Sequence, residues 1–393
     1  MTPAARVQAA IDIVDEVIEA ARTEGAPADR LVAAYFKARR YAGSKDRRAV
    51  RELVYSSIRA CGPVPASGRA AMLRLAQLDE GLDPLFDGSA HGPQPIGETE
   101  EAAAGGLAPQ WLVDALEASD VSGQDAAALM SRAPLDVRVN ALKADRATIE
   151  LPEAGEILAA PQGLRFESGT QVEQWEAWRD GLVEVQDHGS QLACMAAGAM
   201  PGETVVDLCA GAGGKTLSLA AMMDNSGTLI ACDTDKRRLG NLQPRAEKAG
   251  AGMIEICLLD PGKELEMLAD WHGKADAVLV DAPCSGTGTW RRKPEAKWRL
   301  TPDRLARFTQ VQDRLLRIAS ELVRPGGRLV FVTCSLLDAE GKDRVATLLA
   351  EDQEWTRAGP DLPLGCVHGD GVRLSPALDG TDGFFVACLK KSC

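Results

Sequence analysis

No stretch of the chain approaches the roughly 18 unbroken apolar residues that a membrane-spanning helix needs. The opening MTPAARVQAAIDIVDEVIEA carries acids every few positions, where a signal peptide would have a basic start and an apolar centre. Both absences predict a cytoplasmic chain with no membrane partner. The ten cysteines include no Cys-x-x-Cys pair and keep no regular spacing, and most sit in apolar segments, as do Cys194, Cys209 and Cys232. That is the usage of a reducing compartment rather than of a disulfide framework. The four histidines are scattered, so no metal site is predicted. Positive charge is also short: 44 Lys and Arg face 57 Asp and Glu, a net −13, which excludes a surface that grips nucleic acid everywhere but not a local basic groove. Aromatics are only 4% of residues, so the core must rest on Leu, Val and Ala.

What is present falls into blocks. Residues 1–86 show helical periodicity, as in Ile11–Val14–Ile18 and Val50–Val54–Ile58. Between these runs lies a basic stretch, Lys37, Arg39, Arg40, Lys45, Arg47 and Arg48, readable as a solvated helix face or as a surface facing RNA. Residues 87–106 are rich in Gly, Pro and acid and read as a linker. Residues 107–180 hold two short helices and two alternating strands, a small α+β module. From 181 to 393, short apolar runs (TVVDLC, TLIACD, DAVLVD, GRLVFVTC) alternate with helical segments. Continuously apolar strands between helices predict a parallel sheet covered on both faces, hence a doubly wound α/β domain.

The first of these strands ends in Asp207-Leu208-Cys209-Ala210-Gly211-Ala212-Gly213-Gly214-Lys215-Thr216. Glycines there let backbone approach a ligand at the positive end of the next helix. A P-loop would need its first glycine at 209, which is Cys, and a dinucleotide loop would need glycine at 216, which is Thr. With Asp233 closing the second strand, positioned for a ribose diol, the pattern predicts a nucleoside cofactor without choosing which.

The choice comes from two cysteines at two strand ends, in Asp281-Ala282-Pro283-Cys284 and in Thr333-Cys334-Ser335. Ligands of open parallel sheets bind outside the carboxyl ends of the strands, so these residues should ring one crevice with Asp207 and Asp233. A lone Cys is most often a small buried hydrophobe. Two at strand ends, flanked by small or polar residues, suit a thiolate adding to carbon 6 of a cytosine so that carbon 5 becomes nucleophilic, with a second thiol assisting release. Asp281 is placed to meet the polar edge of the base. The following TWRRKPEAKWR has Arg291, Arg292, Lys293, Lys297 and Arg299 against one acid, with Trp290 and Trp298 interleaved, a composition suited to single-stranded RNA.

At these residues the chain resembles the Sun/Fmu-type RNA cytosine-5 methyltransferases. VRVNALK, VEVQDHGSQLA, DLCAGAGGKT, ACDTDKRRL, DAPCSGTGTWRRKPEAKW, VTCS and GFFVACLKK occur in the family's order across 107–393. The resemblance implies a Rossmann-like S-adenosylmethionine-dependent domain acting on RNA, ribosomal RNA first, with transfer RNA or a non-catalytic assembly role as alternatives. It implies that Cys209, Ala210, Gly211, Ala212, Gly213, Gly214, Lys215, Asp233, Arg238, Asp260 and Asp281 bind the cofactor. It also implies that Cys334 attacks and Cys284 assists release, an order the residues alone leave open. The family's usual Ala-Pro-Gly-Gly is here Gly211-Ala212-Gly213-Gly214, a less rigid loop. The helices at 1–86, with YFKARRYAGSKDRRAVRELVY closest, resemble a NusB-like RNA-binding domain. A monomer is the expected state.

Overall fold

A computed structural model describes every residue from Met1 to Cys393. The chain forms two compact units, Met1–Ser131 with Thr289–Thr301, and Arg132–Gly288 with Pro302–Cys393. No helix is long and apolar enough to cross a membrane.

The first unit is built on helices α1 (Pro3–Arg22), α2 (Ala28–Ala38), α3 (Ser44–Ala60) and α4 (Gly68–Ala76). Thr2 and Ser67 cap α1 and α4 by accepting from Ala5 N and Ala70 N, satisfying amides that a helix start leaves open. The stripe Val7–Ile11–Val14–Ile18 is buried against Val50, Val54, Ile58 and Met72. At about 1.5–3 kcal/mol for each fully buried aliphatic side chain, that stripe is the main stabilisation of α1.

The expected linker 87–106 has no regular structure, but it is tied down at its end. Ala103 N donates to Ala70 O, Gly62 N donates to Ala104 O, and Cys61 bridges Gly105. The two short helices expected in the α+β module, Gln110–Ala118 and Gly123–Ala128, belong to this helical unit.

The second unit holds two sheets. A small antiparallel sheet has the order β2 (Glu156–Ile157), β3 (Gly163–Phe166), β1 (Leu135–Val139), β4 (Val183–Val185). Its last strand lies beyond residue 180, because Val137–Val139 pairs with Val183–Val185 and carries the sheet into the next segment.

The large sheet has a parallel centre in the order β7 (Ile254–Leu258), β6 (Thr228–Asp233), β5 (Thr204–Asp207), β8 (Ala275–Asp281), β9 (Val323–Thr333). Antiparallel β13 (Phe384–Lys391) pairs with β9, then β12 (Gly371–Leu374) and β11 (Cys366–His368) follow, and β10 (Trp355–Arg357) also pairs with β13. Successive residues bury opposite faces. Val205 and Val330 pack with Leu217 and Leu219, while Val206 and Phe331 pack with Leu316 and Ala319. This is the doubly wound α/β architecture expected from the apolar strands. The chain runs outward from β5 through β6 to β7, then returns to β8 on the other side of β5. The order therefore reverses between β5 and β8, and a crevice opens at their carboxyl ends.

Candidate active site

Strand register brings the expected residues to one edge. Asp207 pairs with Leu279 and Ala231, Asp233 with Leu258, and Asp281 with Val332. Asp207, Asp233, Asp281 and Cys334 therefore end neighbouring strands, and Cys284 follows three residues after β8.

The glycine loop is held from both sides. Gly211 N donates to Asp233 Oδ2 at 2.7 Å and Asp235 N to Asp233 Oδ1 at 2.7 Å, so this carboxylate is fixed by backbone. Gly211 has φ +56°, and a Cβ there would lie 2.3 Å from a guanidinium nitrogen of Arg238, which lies against the loop. Gly213 has φ +88°, and a Cβ there would lie 2.0 Å from Leu242 Cδ1. Both positions need glycine. Gly213 begins the helix Gly214–Met222 with no side-chain cap, leaving the positive end of the helix toward the loop. Ala210 N donates to Cys232 O, and Ala212 O accepts from Arg245 at 2.6 Å. Burial, with Asp207, Asp281 and Asp233 nearby, pushes the Cys209 thiol well up, so it serves as a small packing group. Leu259 N donates to Asp233 O, which sets exposed Asp260 just past the end of β7.

Beneath the loop, Asp207 is fully buried and accepts from Thr216 Oγ1 at 2.7 Å; burial pushes its pKa up to about 7. Lys215 Nζ pairs with Asp281 Oδ2 at 2.6 Å. Burial opposes the ammonium, but Asp281, Cys194 and Cys334 together outweigh it, so Lys215 stays firmly charged. The sequence placed Lys215 only in the cofactor loop; its contact with Asp281 was not legible there.

The two thiols meet: Cys284 Sγ and Cys334 Sγ are 3.4 Å apart. The Cys284 thiol is pushed well above the ordinary thiol range, first by its hydrogen bond with Cys334, then by burial and by the charges of Cys334 and Glu340. The two cysteines thus sit in unequal fields. The Lys215 ammonium interacts with Cys334, and the Glu340 carboxylate with Cys284.

Glu340 and its partners are functional candidates that the sequence reading missed. This buried acid accepts from Ser285 N at 2.8 Å, from the Ser285 hydroxyl and from Gln312 Nε2 at 3.2 Å. It lies in LLDAEGKD, which has the composition of an ordinary surface turn.

The basic segment after Cys284 is placed differently from the expectation. Residues 289–301 belong to the helical unit, where Trp298 is buried with the α1–α4 core and donates from Nε1 to Gly62 O at 3.1 Å. Lys297 is fully buried, 3.8 Å from Met130 Sδ, and burial lowers its pKa to about 7. Arg291 is buried as well and its carbonyl accepts from Arg59, Arg292 is half-buried, and Lys293 is exposed. Trp298 and Lys297 are consumed by packing, so they offer no open stacking strip. In the same unit the earlier basic stretch stays open: Lys37, Arg40, Lys45, Arg47 and Arg48 are exposed, and Tyr41 among them is 75% exposed.

Residues 195–390 match a family described as 16S rRNA methyltransferase RsmB/F. Over 303 residues the chain is 32% identical to the probable ribosomal RNA small subunit methyltransferase B of Bacillus subtilis, covering 72% of this chain and 66% of the relative. Over 294 residues it is 32% identical to the ribosomal RNA small subunit methyltransferase B of Xylella fastidiosa, covering 72% and 68%. It thus spans about two-thirds of the length of these relatives. Among solved structures it is similar to that of PH0851, with a TM-score of 0.76 and 25% identity over 100% of this chain and 99% of that one. It is also similar to a methyltransferase homologue from Pyrococcus horikoshii, with a TM-score of 0.58 and 25% identity over 68% and 90%.

Proposed function

We infer, from the premise that this chain belongs to the 16S rRNA methyltransferase RsmB/F family, that it is an RNA methyltransferase that modifies carbon 5 of a cytosine, with ribosomal RNA as the substrate. The observation that carries the reading is the pair of thiols 3.4 Å apart at the ends of β8 and β9, beside the Lys215–Asp281 ion pair.

S-adenosylmethionine fits the chain's own groups. The loop at Gly211 and Gly213 has no room for side chains, the Gly214–Met222 helix presents an uncapped positive end, and Asp233 is fixed beside the loop. Cys209 to Lys215, with Arg238, Asp260 and Asp281, complete the surround. Bound there, it supplies an electrophilic methyl for carbon 5.

Cytosine carbon 5 is too weak a nucleophile to take a methyl unaided. A Cys334 thiolate adds to carbon 6, and the ring electrons move to carbon 5, which becomes enamine-like and reactive. Lys215, charged and interacting with Cys334, is the cation available to that sulfur. Asp281, oriented by Lys215, meets the polar edge of the base. After methylation the carbon-5 proton leaves to solvent, the carbon–sulfur bond breaks, and its electron pair returns to Cys334. Cys284, still a thiol, donates to the departing sulfur. The order of the two cysteines, left to resemblance by the sequence, gains support from their unequal surroundings.

An RNA partner finds its exposed cations in the helical unit, at Lys37–Arg48 around Tyr41. The test is bisulfite sequencing of ribosomal and transfer RNA from cells lacking the protein, combined with purified variants. Cys334→Ala is expected to give neither product nor adduct, and Cys284→Ala to accumulate a protein–RNA adduct on a denaturing gel. Full turnover by Cys334→Ala overturns the nucleophile, and an unchanged methylation map overturns the activity.

A further inference from the structure

The site contains a fully buried acid with no part in the steps above. Glu340 lies in the turn Asp338–Glu340, just after Cys334, and its side chain faces the loop after Cys284. Its donors are neutral: Ser285 N, the Ser285 hydroxyl, the Ser335 hydroxyl and the Gln312 amide. The same Gln312 nitrogen donates to Pro283 O at 2.9 Å. Pro283 and Ser285, the neighbours of Cys284, are thus both tied to Glu340 or its partner. Ser335, the neighbour of Cys334, is 3.2 Å from the Ser285 hydroxyl and 3.1 Å from that of Thr287. Thr287 in turn accepts from Leu336 N. One carboxylate therefore closes a buried network that spans both cysteine loops.

Such a group is costly to bury, since neutral donors repay an anion's lost hydration only in part. Packing alone would be served by an apolar residue. A carboxylate does something an apolar residue cannot: it sets the local field. On the Cys284 side the charged or titratable groups are Glu340 and Cys334, and on the Cys334 side they are Lys215 with its partner Asp281, and Cys284. A negative group beside one thiol and a positive group beside the other would let one proton leave the pair from a defined sulfur.

We propose that Glu340 is a positioning residue that keeps Cys284 as a thiol and pins its loop to that of Cys334, so that only Cys334 becomes the attacking anion. This rests on the methyltransferase reading for its purpose but not for its test. Burial pushes the Glu340 carboxyl above its ordinary value, and its four donors hold that rise in check.

The experiment uses full-length protein carrying Cys334→Ser, which leaves one active-site thiol. Alkylation of Cys284 by iodoacetamide is followed against pH by peptide mass spectrometry, with and without Glu340→Gln. The glutamine keeps an acceptor for Ser285 and removes the charge. The midpoint is expected to fall by about one unit, which quickens labelling at pH 7.5 about tenfold. Buried Cys194 and Cys388 should stay unlabelled, which reports an intact fold. Ser285→Ala, which keeps the carboxylate, should leave the midpoint in place. Coincident midpoints with and without Glu340→Gln, or an equal shift from Ser285→Ala, overturn the proposal. So does a midpoint near the ordinary thiol value of about 8.5 in the parent protein, whatever the variants do. With Cys334 restored, Glu340→Gln should lower kcat and leave KM for RNA within about twofold. A shifted midpoint in a protein that methylates no RNA would sink the methyltransferase reading and leave the role of Glu340 standing.

Discussion

The glycine loop offers a matched pair of substitutions with opposite expected outcomes. At Gly213 the backbone has φ +88°, and a methyl would meet Leu242 Cδ1 at 2.0 Å, with Leu242 itself buried. Alanine in the left-handed region costs roughly 1–2 kcal/mol, and forcing a packed neighbour aside costs roughly 1–3 kcal/mol more. Gly213→Ala should therefore lose roughly 2–5 kcal/mol. For a unit of this size that is a fall of roughly 4–20 °C in melting temperature without any cofactor. One residue on, Gly214 has no positive φ, and a methyl there would meet nothing within 4 Å. Gly214→Ala should keep its stability within about 0.5 kcal/mol, or gain slightly from better helix propensity. Its methyl would occupy the space in front of the loop where backbone is expected to approach the cofactor. Affinity for S-adenosylmethionine should then fall at least about tenfold. Calorimetric melting and isothermal titration separate the two effects. If Gly214→Ala melts as early as Gly213→Ala, or binds cofactor undiminished, the account of the loop's open face is refuted.

Two further expectations concern charge and packing. Asp207 has a native pKa raised to about 7 from 3.8, so between those values the folded chain holds a proton that the unfolded chain has released, and stability falls as pH rises through that window. Asp207→Asn keeps an acceptor for Thr216 and should remove the slope, gaining on the order of 1–4 kcal/mol over the parent at pH 7.5 relative to pH 4. Urea midpoints that stay parallel across pH would contradict this. Trp298→Ala should cost about 3–5 kcal/mol of stability in the helical unit. Tyr41→Ala should leave stability within about 0.5 kcal/mol and weaken RNA binding by about 1–3 kcal/mol. Thermal melts and filter binding that show the reverse pattern would restore Trp298 as the stacking residue.

The strand ends were legible because a buried parallel strand advertises itself by an apolar run. The residue after such a run then falls at the ligand edge whatever the rest of the fold does. Asp207, Asp233, Asp281, Cys284 and Cys334 were located in that way. Within the segment at 289–301, Arg291, Lys297 and Trp298 were misread for the opposite reason. Cations and tryptophans have the same composition in a core as on an RNA-binding surface. What decides between them is a partner such as Gly62, 236 residues away in the chain. Glu340 was invisible because a single acid in a turn carries no periodicity, and its burial is created by Ser285 and Gln312 from two other elements. Lys215 was seen as a loop residue, but its ion pair joins the start of the Gly214–Met222 helix to the end of β8, 66 positions away.

The composition of the helical unit also has a bearing on synthesis. Its core includes Trp298, whereas its other elements end at Ser131. A ribosome adding roughly 5–20 residues per second makes the intervening chain in roughly 8–30 s. For that interval the first helices to emerge lack one of the largest side chains of their own interior, and they receive it only after most of the parallel sheet has been translated. The helical unit is therefore complete only at Thr301 rather than at Ser131, although still ahead of the α/β unit, which needs the chain to Cys393.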